Sequence, residues 1–266
     1  MILKSESRSN HVFPNNVIVA KDYIHIFDGG GGLNNNKVFL IHDLQGNFIN
    51  SYHETDDLER RKMILFGCKS TFNLSNGNIF FNYPLCDTIY EIREQKLIPA
   101  FYFDFGGKKF SKDMFKFQNI DDLEVFDILT EIKENQGISS IEYYSVTQRF
   151  LHFSLDDFEH NGYIGFFNII NKHTIIGHHI IDDMYFTGNK YSPKAWELPT
   201  KGTIEEDLIW QIEAGFLKSA YESYKKRTPK EKWDMFLLEY HDAVDALENL
   251  DEEDNPVLMR VKVKLK

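Results

Sequence analysis

The chain has 266 residues, of which 42% are hydrophobic and 15% aromatic, so it can bury a sizeable core and is not expected to be disordered. Its 41 acidic residues outnumber 30 basic ones, and the formal net charge of -11 would repel a phosphate backbone, so nucleic acid is not an expected partner. The sequence has no apolar run of about 18 residues, the length that a membrane helix needs, and its start, MILKSESRSNHVF, does not predict a secretory signal.

The first part of the chain predicts a set of short strands. The segments NVIVAKDYIHIFD (16–28), NNKVFLIHD (35–43) and GNFINSY (46–52) are rich in β-branched and aromatic residues and are separated by polar turns. We expect an antiparallel sheet here.

The next set of strands is predicted by a strong turn signal. KSTFNLS (69–75) leads through Asn76 and Gly77 into NIFFNY (78–83), and Asn-Gly favours a two-residue hairpin because both residues tolerate positive φ. DTIYEIR (87–93) and LIPAFYFDFG (97–106) follow. Four strands joined by tight turns predict one four-stranded antiparallel sheet.

A helical insertion is predicted over 111–138, where apolar residues recur at helical spacing. A third set of strands follows, comprising SIEYYSVT (140–147), RFLHFSL (149–155), YIGFFNII (163–170) and HTIIGHHII (173–181). Similar hairpins begin at 38, 88 and 165, and removing the insertion makes both intervals close to 50 residues. Strand-rich units of about this length are typical of propeller blades.

A fourth set of strands begins at DLIWQIEA (207–214) and ends in NPVLMRVKVKLK (255–266). Two helices, 214–227 and 228–250, are predicted to interrupt it, so the second helical insertion spans 214–250. Thr228 is the expected N-cap of the later helix, with Pro229 in its first turn and Glu231 completing a capping box. Its apolar stripe is expected to pack on a blade edge; a partner-binding stripe is the alternative.

These residues resemble the six-bladed β-propeller proteins of Bacteroides-type bacteria, which are related in fold to the TolB and NHL-like propellers. The resemblance rests on FNYPLCDTIYEIREQKLIPAFYFDFG (81–106), FNIINKHTIIGHHIIDDMYF (167–186) and EEDNPVLMRVKVKLK (252–266). In that family a D-T-I-Y-x-I strand precedes an L-x-P strand, matched here by 87–92 and 97–99. The resemblance implies a single propeller-type domain over 1–266 and an address outside the cytoplasm.

The chain departs from the family pattern in two respects. It holds about four blades' worth of strands, so either upstream blades are missing or the ring is smaller. The family also tends to place an Asn-Asp and Gly-rich loop after the third-blade hairpin, whereas this chain continues from His179 through Asp183 into MYFTGNKYSPKAW.

A histidine-rich strand, HTIIGHHII, leads into that loop. His178 and His179 would point to opposite faces of a strand, and no H-E-x-x-H or H-x-H motif is present, so neither a metal nor another cofactor is expected. Aromatic and acidic side chains together suit a sugar or another polar ligand, although packing between blades is the alternative. The candidate ligand-binding residues are His179, Asp182, Asp183, Tyr185, Tyr191 and Trp196.

The sequence therefore predicts an all-β propeller of four-stranded antiparallel blades, with about four blades' worth of strands and two helical insertions. No G-x-S-x-G motif or Ser-His-Asp order is readable, so no catalytic residue is assigned. We expect a non-catalytic binding or scaffold module whose ligand is an oligosaccharide or a protein. The alternatives are a hydrolase or lyase that uses the histidines and aspartates of 178–183, and a protein-interaction module that uses the helix at 228–250.

Overall fold

Three four-stranded antiparallel sheets dominate the computed structural model. The model describes residues 16–27, 37–54, 71–83, 86–94, 96–108, 130, 134, 140–156, 163–177, 180–181, 190–191 and 200–264. Blade 1 consists of β1 (Asn16–Ala20), β2 (Tyr23–Phe27), β3 (Lys37–Asp43) and β4 (Phe48–Glu54). Blade 2 consists of β5 (Thr71–Ser75), β6 (Asn78–Asn82), β7 (Thr88–Arg93) and β8 (Lys96–Tyr102). Blade 3 consists of β9 (Ser140–Val146), β10 (Phe150–Asp156), β11 (Tyr163–Asn168) and β12 (Thr174–Gly177). The strands occur in chain order in each sheet, which confirms the predicted all-β, blade-like architecture.

The remaining strands form two smaller sheets. β13 (Ile180–Ile181) pairs with β14 (Lys190–Tyr191). The C-terminal sheet has the order β15 (Thr200–Ile204), β16 (Asp207–Ile212) and β17 (Val257–Lys262). Between β16 and β17 lie the helices α1 (Ala214–Arg227), α2 (Lys230–Glu239) and α3 (His241–Glu248). A short 3-10 helix, Gly106–Lys108, follows β8.

The short turns between paired strands depend on residues with positive φ. Asn76 and Gly77 have φ of 49° and 75° between β5 and β6, as the Asn-Gly dipeptide predicts. Glu205, with φ of 55°, likewise lies in the turn between β15 and β16. All non-glycine residues of this kind in the described chain occur in such turns: Lys21, Asp22, Asn76, Glu94, Lys172 and Glu205. Left-handed backbone closes these turns tightly, which keeps the paired strands in register.

Aromatic side chains fill the spaces between neighbouring blades. Successive side chains of a strand point to opposite faces of the sheet, and neighbouring blades cover both faces of a blade in a propeller. The first core joins blades 1 and 2 and contains Phe27, Phe39, Ile41, Ile79, Phe81, Tyr83, Cys86 and Ile92. The second joins blades 2 and 3 and contains Phe80, Ile89, Ile141, Tyr144, Val146, Leu151, Phe153 and Leu155. Burial of these side chains therefore fixes how the blades stand beside one another.

The first strands of the sheets converge. β5 contacts β1, β9 and β15, and β15 also contacts β9. One buried hydrogen bond reinforces this arrangement, since the amide of Val146 in β9 donates to Oδ1 of Asn73 in β5 at 3.3 Å. Asn73 thereby satisfies a backbone group on the inner edge of the next blade.

The C-terminal helices confirm one prediction and correct another. α1 spans the predicted 214–227, but the helix predicted over 228–250 is two helices separated at Tyr240, whose φ and ψ are -122° and 33°. The predicted capping box is wrong: Pro229 is the N-cap of α2, without a side-chain cap, and the Thr228 hydroxyl donates instead to the carbonyl of Tyr224 in α1 at 2.8 Å.

The apolar stripe of these helices packs inside the protein. Together with the C-terminal sheet it forms a third core, so the stripe packs on a sheet as the sequence predicts. The buried residues of this core are Ile212, Leu217, Tyr221, Phe236, Val244, Leu247 and Met259. Of the other predicted insertion, 111–138, Thr130 and Glu134 are helical and the rest lies outside the described residues.

Gly165 in β11 is expected to tolerate no larger residue. A Cβ atom at this position would lie less than 3.0 Å from three ring atoms of Phe153, which is buried and packs edge-on against Phe103 at 4.9 Å. Gly165→Ala should therefore lower the free energy of unfolding by about 1 to 3 kcal/mol, measured by urea denaturation. Gly107→Ala is the control, because nothing lies within 4 Å of a Cβ there. Equal stability of the two variants would show that the Phe153 ring can move away without cost.

Candidate functional site

The long connections between strands all leave the same end of the sheets. In each blade the turns between strands one and two, and between strands three and four, are short. The connections between strands two and three, and on to the next sheet, leave the other end; they include 28–36, 55–70, 103–139 and 178–199. We call these two ends the turn end and the loop end.

Contacts between sheets align these ends. The ring centroids of Phe27 and Phe81, each near the loop end of its blade, are 5.2 Å apart. At the turn end, Glu206 in the turn after β15 accepts hydrogen bonds from the amides of Gln148 and Arg149, at 3.1 and 3.2 Å. The Glu206 carboxylate is thus held by two successive backbone N–H groups and fastens the C-terminal sheet to blade 3.

The predicted ligand-binding residues belong to the segment 178–199, which begins where β12 ends at the loop end of blade 3. His179, Asp182, Asp183, Tyr185 and Trp196 lie outside the described residues. The backbone of Tyr191 is described: it lies in β14, opposite Ile180 of β13. Because Ile180 follows His179 directly, this pairing brings the backbone of Tyr191 next to the histidine-rich segment.

The predicted strand HTIIGHHII is divided in the structure. Its first part, β12, ends at Gly177 and completes blade 3, whereas Ile180 and Ile181 pair in a separate sheet. The prediction that 173–181 forms one strand of a single sheet is therefore wrong, whereas the opposite faces predicted for His178 and His179 are not tested. His178, like His179, lies outside the described residues.

Buried hydrogen bonds connect the two strands that meet at the loop end of blade 2. The side-chain amide of buried Asn82 donates to the carbonyls of Cys86 and Thr88, at 3.2 and 2.8 Å, across the connection between β6 and β7. Burial raises the pKa of the Cys86 thiol to about 11. This cysteine is therefore a packing residue rather than a nucleophile. Cys68 lies outside the described residues.

A buried polar row on blade 3 escaped sequence reasoning. Ser145 and His152 are cross-strand partners, and Ser154 lies two residues further along β10, on the same face. Among the described residues, neither hydroxyl and neither ring nitrogen of His152 has a hydrogen-bond partner. Burial lowers the pKa of His152 to about 4, so this imidazole is neutral near pH 7. The alternation of β10 was readable in the sequence, but the burial of this face depends on the neighbouring sheet.

Two further features bear on function. Within the described residues, no three side chains of His, Cys, Asp or Glu lie together as the ligands of a metal ion would. None of the described helices combines the length and apolar character needed to cross a bilayer.

Comparisons with known proteins agree with the architecture. A family model described as a six-bladed β-propeller matches residues 5–196. The crystal structure of a candidate exported protein from Bacteroides fragilis is similar, with a TM-score of 0.58 and 16% sequence identity. The similarity covers 95% of this chain and 66% of that protein, so the chain spans just under two thirds of its length. Comparison with curated proteins gives no match.

Proposed function

Because the chain belongs to the six-bladed β-propeller family, we propose that it is a non-catalytic binding or scaffold module whose ligand surface is the loop end. The observation that carries this proposal is the separation of connections: all connections at one end of the blades have five residues or fewer, and all the long connections leave the other end. Rigid strands that present long loops are a common basis for binding sites, since loops can vary without disturbing the core. An address outside the cytoplasm is supported by the description of the Bacteroides fragilis protein.

The connection at 182–196 is the part of the loop end best equipped to hold a polar ligand. It supplies Tyr185, Tyr191 and Trp196 together with Asp182 and Asp183. Aromatic rings can stack on the apolar faces of a sugar ring, while carboxylates accept hydrogen bonds from its hydroxyls. His179 can donate a hydrogen bond to a hydroxyl or accept one from it. An oligosaccharide is therefore the first ligand class to test, and a protein is the second.

Substitution at the loop end should remove ligand binding without unfolding the protein. The wild-type chain is first titrated calorimetrically with cello-, xylo-, malto- and manno-oligosaccharides. Tyr191→Ala and Trp196→Ala should weaken the binding of the active sugar by about tenfold or more, since stacked aromatic residues often dominate binding energy. Gln45→Ala, an exposed residue in a turn-end loop, is the control and should bind like the wild type.

The same titrations discriminate against the enzymatic alternative. If a sugar is hydrolysed or cleaved, and alanine at His178, His179, Asp182 or Asp183 abolishes turnover, the protein is a hydrolase or lyase and the proposal is wrong. Binding that is lost in Gln45→Ala but kept in both loop-end variants would also contradict the proposal, because the ligand surface would then be the turn end.

A further inference from the structure

Helix α2 exposes two large apolar side chains on one side. Met235 and Leu238 are three positions apart, so they are neighbours on the helix surface. Their relative exposures are 70% and 86%, the two highest values among the exposed large hydrophobic residues of the helices. Together they form a small apolar strip, which we call the α2 strip.

The α2 strip plays no part in holding the helix to the protein. α2 is anchored by its opposite side, where Phe236 is buried and Trp233 is partly buried. The Trp233 ring lies 5.8 Å from that of Tyr221 and 5.6 Å from that of Phe236. Lys225 of α1 lies over the same tryptophan, 5.7 Å from its ring centre. The packing of α2 therefore accounts for the apolar residues on its inner face, but it does not account for Met235 and Leu238 on the outer face.

The α2 strip lies in a strongly acidic segment of the chain. Residues 230–254 contain ten Asp and Glu against two Lys, so most of the net charge of the chain is concentrated there. Glu231 and Glu239 lie one helical turn from Met235, and Asp234 lies one turn from Leu238; all three are exposed. Asp242, at the start of α3, is exposed as well. Lys232 also lies one turn from Met235, so the strip is an apolar contact flanked mainly by carboxylates, with one ammonium group among them.

We propose that the α2 strip docks a basic amphipathic helix of another protein. Two helices pair when an apolar seam on each is flanked by opposite charges, the apolar residues supplying affinity and the charges supplying orientation and association rate. Met235 suits such a contact because its unbranched side chain adapts to the shape of its partner. Acidic flanks select a partner with Lys and Arg beside its apolar seam and repel an acidic helix. This surface is separate from the 182–196 connection and goes beyond the function proposed above.

A designed peptide can serve as the partner. The probe is a fluorescein-labelled helical peptide of leucine and lysine, with the leucines on one face, and its dissociation constant is measured by fluorescence anisotropy. The Met235→Ser, Leu238→Ser double variant should bind the peptide about tenfold or more weakly than the wild type. Ile170→Ser, which changes an equally exposed aliphatic residue on blade 3, should bind like the wild type. A leucine and glutamate peptide of the same pattern should not bind.

Three results would overturn the proposal. Absence of binding by the wild type excludes the docking surface. Equal binding by the double variant means that the acidic residues attract any cation and that the apolar strip contributes nothing. Self-association of the wild type that is lost in the double variant, measured by sedimentation, means that a second copy of the chain covers the strip.

The test does not depend on the stability of the variants or on the loop end. Both substituted side chains are exposed, so the free energy of unfolding should change by no more than about 0.5 kcal/mol, which urea denaturation checks. Tyr191→Ala and Trp196→Ala should keep peptide binding. Failure at the α2 strip and failure at the loop end are therefore observed separately.

Discussion

Replacing Phe81 with alanine is expected to lower the free energy of unfolding by about 3 to 5 kcal/mol. Phe81 is fully buried between blades 1 and 2. Its ring centroid lies 5.2 Å from those of Phe27 and Phe39 in blade 1, 5.3 Å from that of Phe72 and 5.9 Å from that of Tyr83. The substitution would leave a cavity in the contact that holds the two blades together, and rings fixed on separate strands can refill it only in part.

The measurement is urea denaturation followed by fluorescence and by far-ultraviolet circular dichroism. Phe216→Ala is the matched control, because the same atoms are removed from a ring that is 48% exposed; a loss of about 1 kcal/mol or less is expected. A separate early transition of blade 1 in Phe81→Ala would show that the blades unfold one after another. Equal losses in the two variants would contradict the central place of Phe81 in the inter-blade core.

Acid is expected to destabilise the protein through two buried histidines. Burial is the largest cause that lowers the pKa of His25 and the pKa of His152, in each case from 6.5 to about 4. Because the unfolded chain binds these protons more readily than the folded one, the stabilisation is present above pH 6.5 and is lost as the pH falls toward 4. One pKa unit corresponds to about 1.4 kcal/mol, so each histidine should cost about 3 kcal/mol between pH 7 and pH 4.

His152→Phe isolates the contribution of one histidine. The other titrating groups are common to the variant and the wild type, so the comparison uses the difference in their unfolding free energies at several pH values between 7 and 4. The variant should lose about 3 kcal/mol less over this range. His173→Phe, which replaces an exposed histidine, is the control for the substitution itself. Parallel curves for His152→Phe and the wild type would mean that the folded protein accepts a proton at His152 without cost.

Local patterns in the sequence were sufficient for the strands of blades 1 and 2 and for the first helix. Alternating apolar residues and turn dipeptides act over a few positions, and Asn76-Gly77 forms the predicted turn between the predicted strands. The spacing of three similar hairpins also indicated blades before any contact was known. α1 likewise begins and ends where its sequence predicts.

The break at Tyr240 could not be predicted in the same way. Apolar residues continue at helical spacing from Trp233 to Leu247, so the pattern is the same for one helix as for two. Thr228 was an equally good N-cap by sequence, yet its hydroxyl bonds back to Tyr224 at the end of α1. Where local preferences balance, packing of the helices on one another and on the C-terminal sheet selects the result.

The functional features of the protein also differ in whether the sequence alone could predict them. Residue types alone nominated the aromatic and acidic connection at 182–196, and the resemblance of the motifs identified the family. By contrast, the hydrogen bonds from the turn at 148–149 to Glu206 join residues more than fifty positions apart. The burial of the His152 side chain, which lowers its pKa, depends on what packs over blade 3. The exposure of Met235 and Leu238 likewise depends on tertiary structure, because aromatic contacts decide which face of α2 packs against the protein. Hydrogen bonding and periodicity along the chain act over a few residues, whereas burial is a property of the assembled sheets and helices.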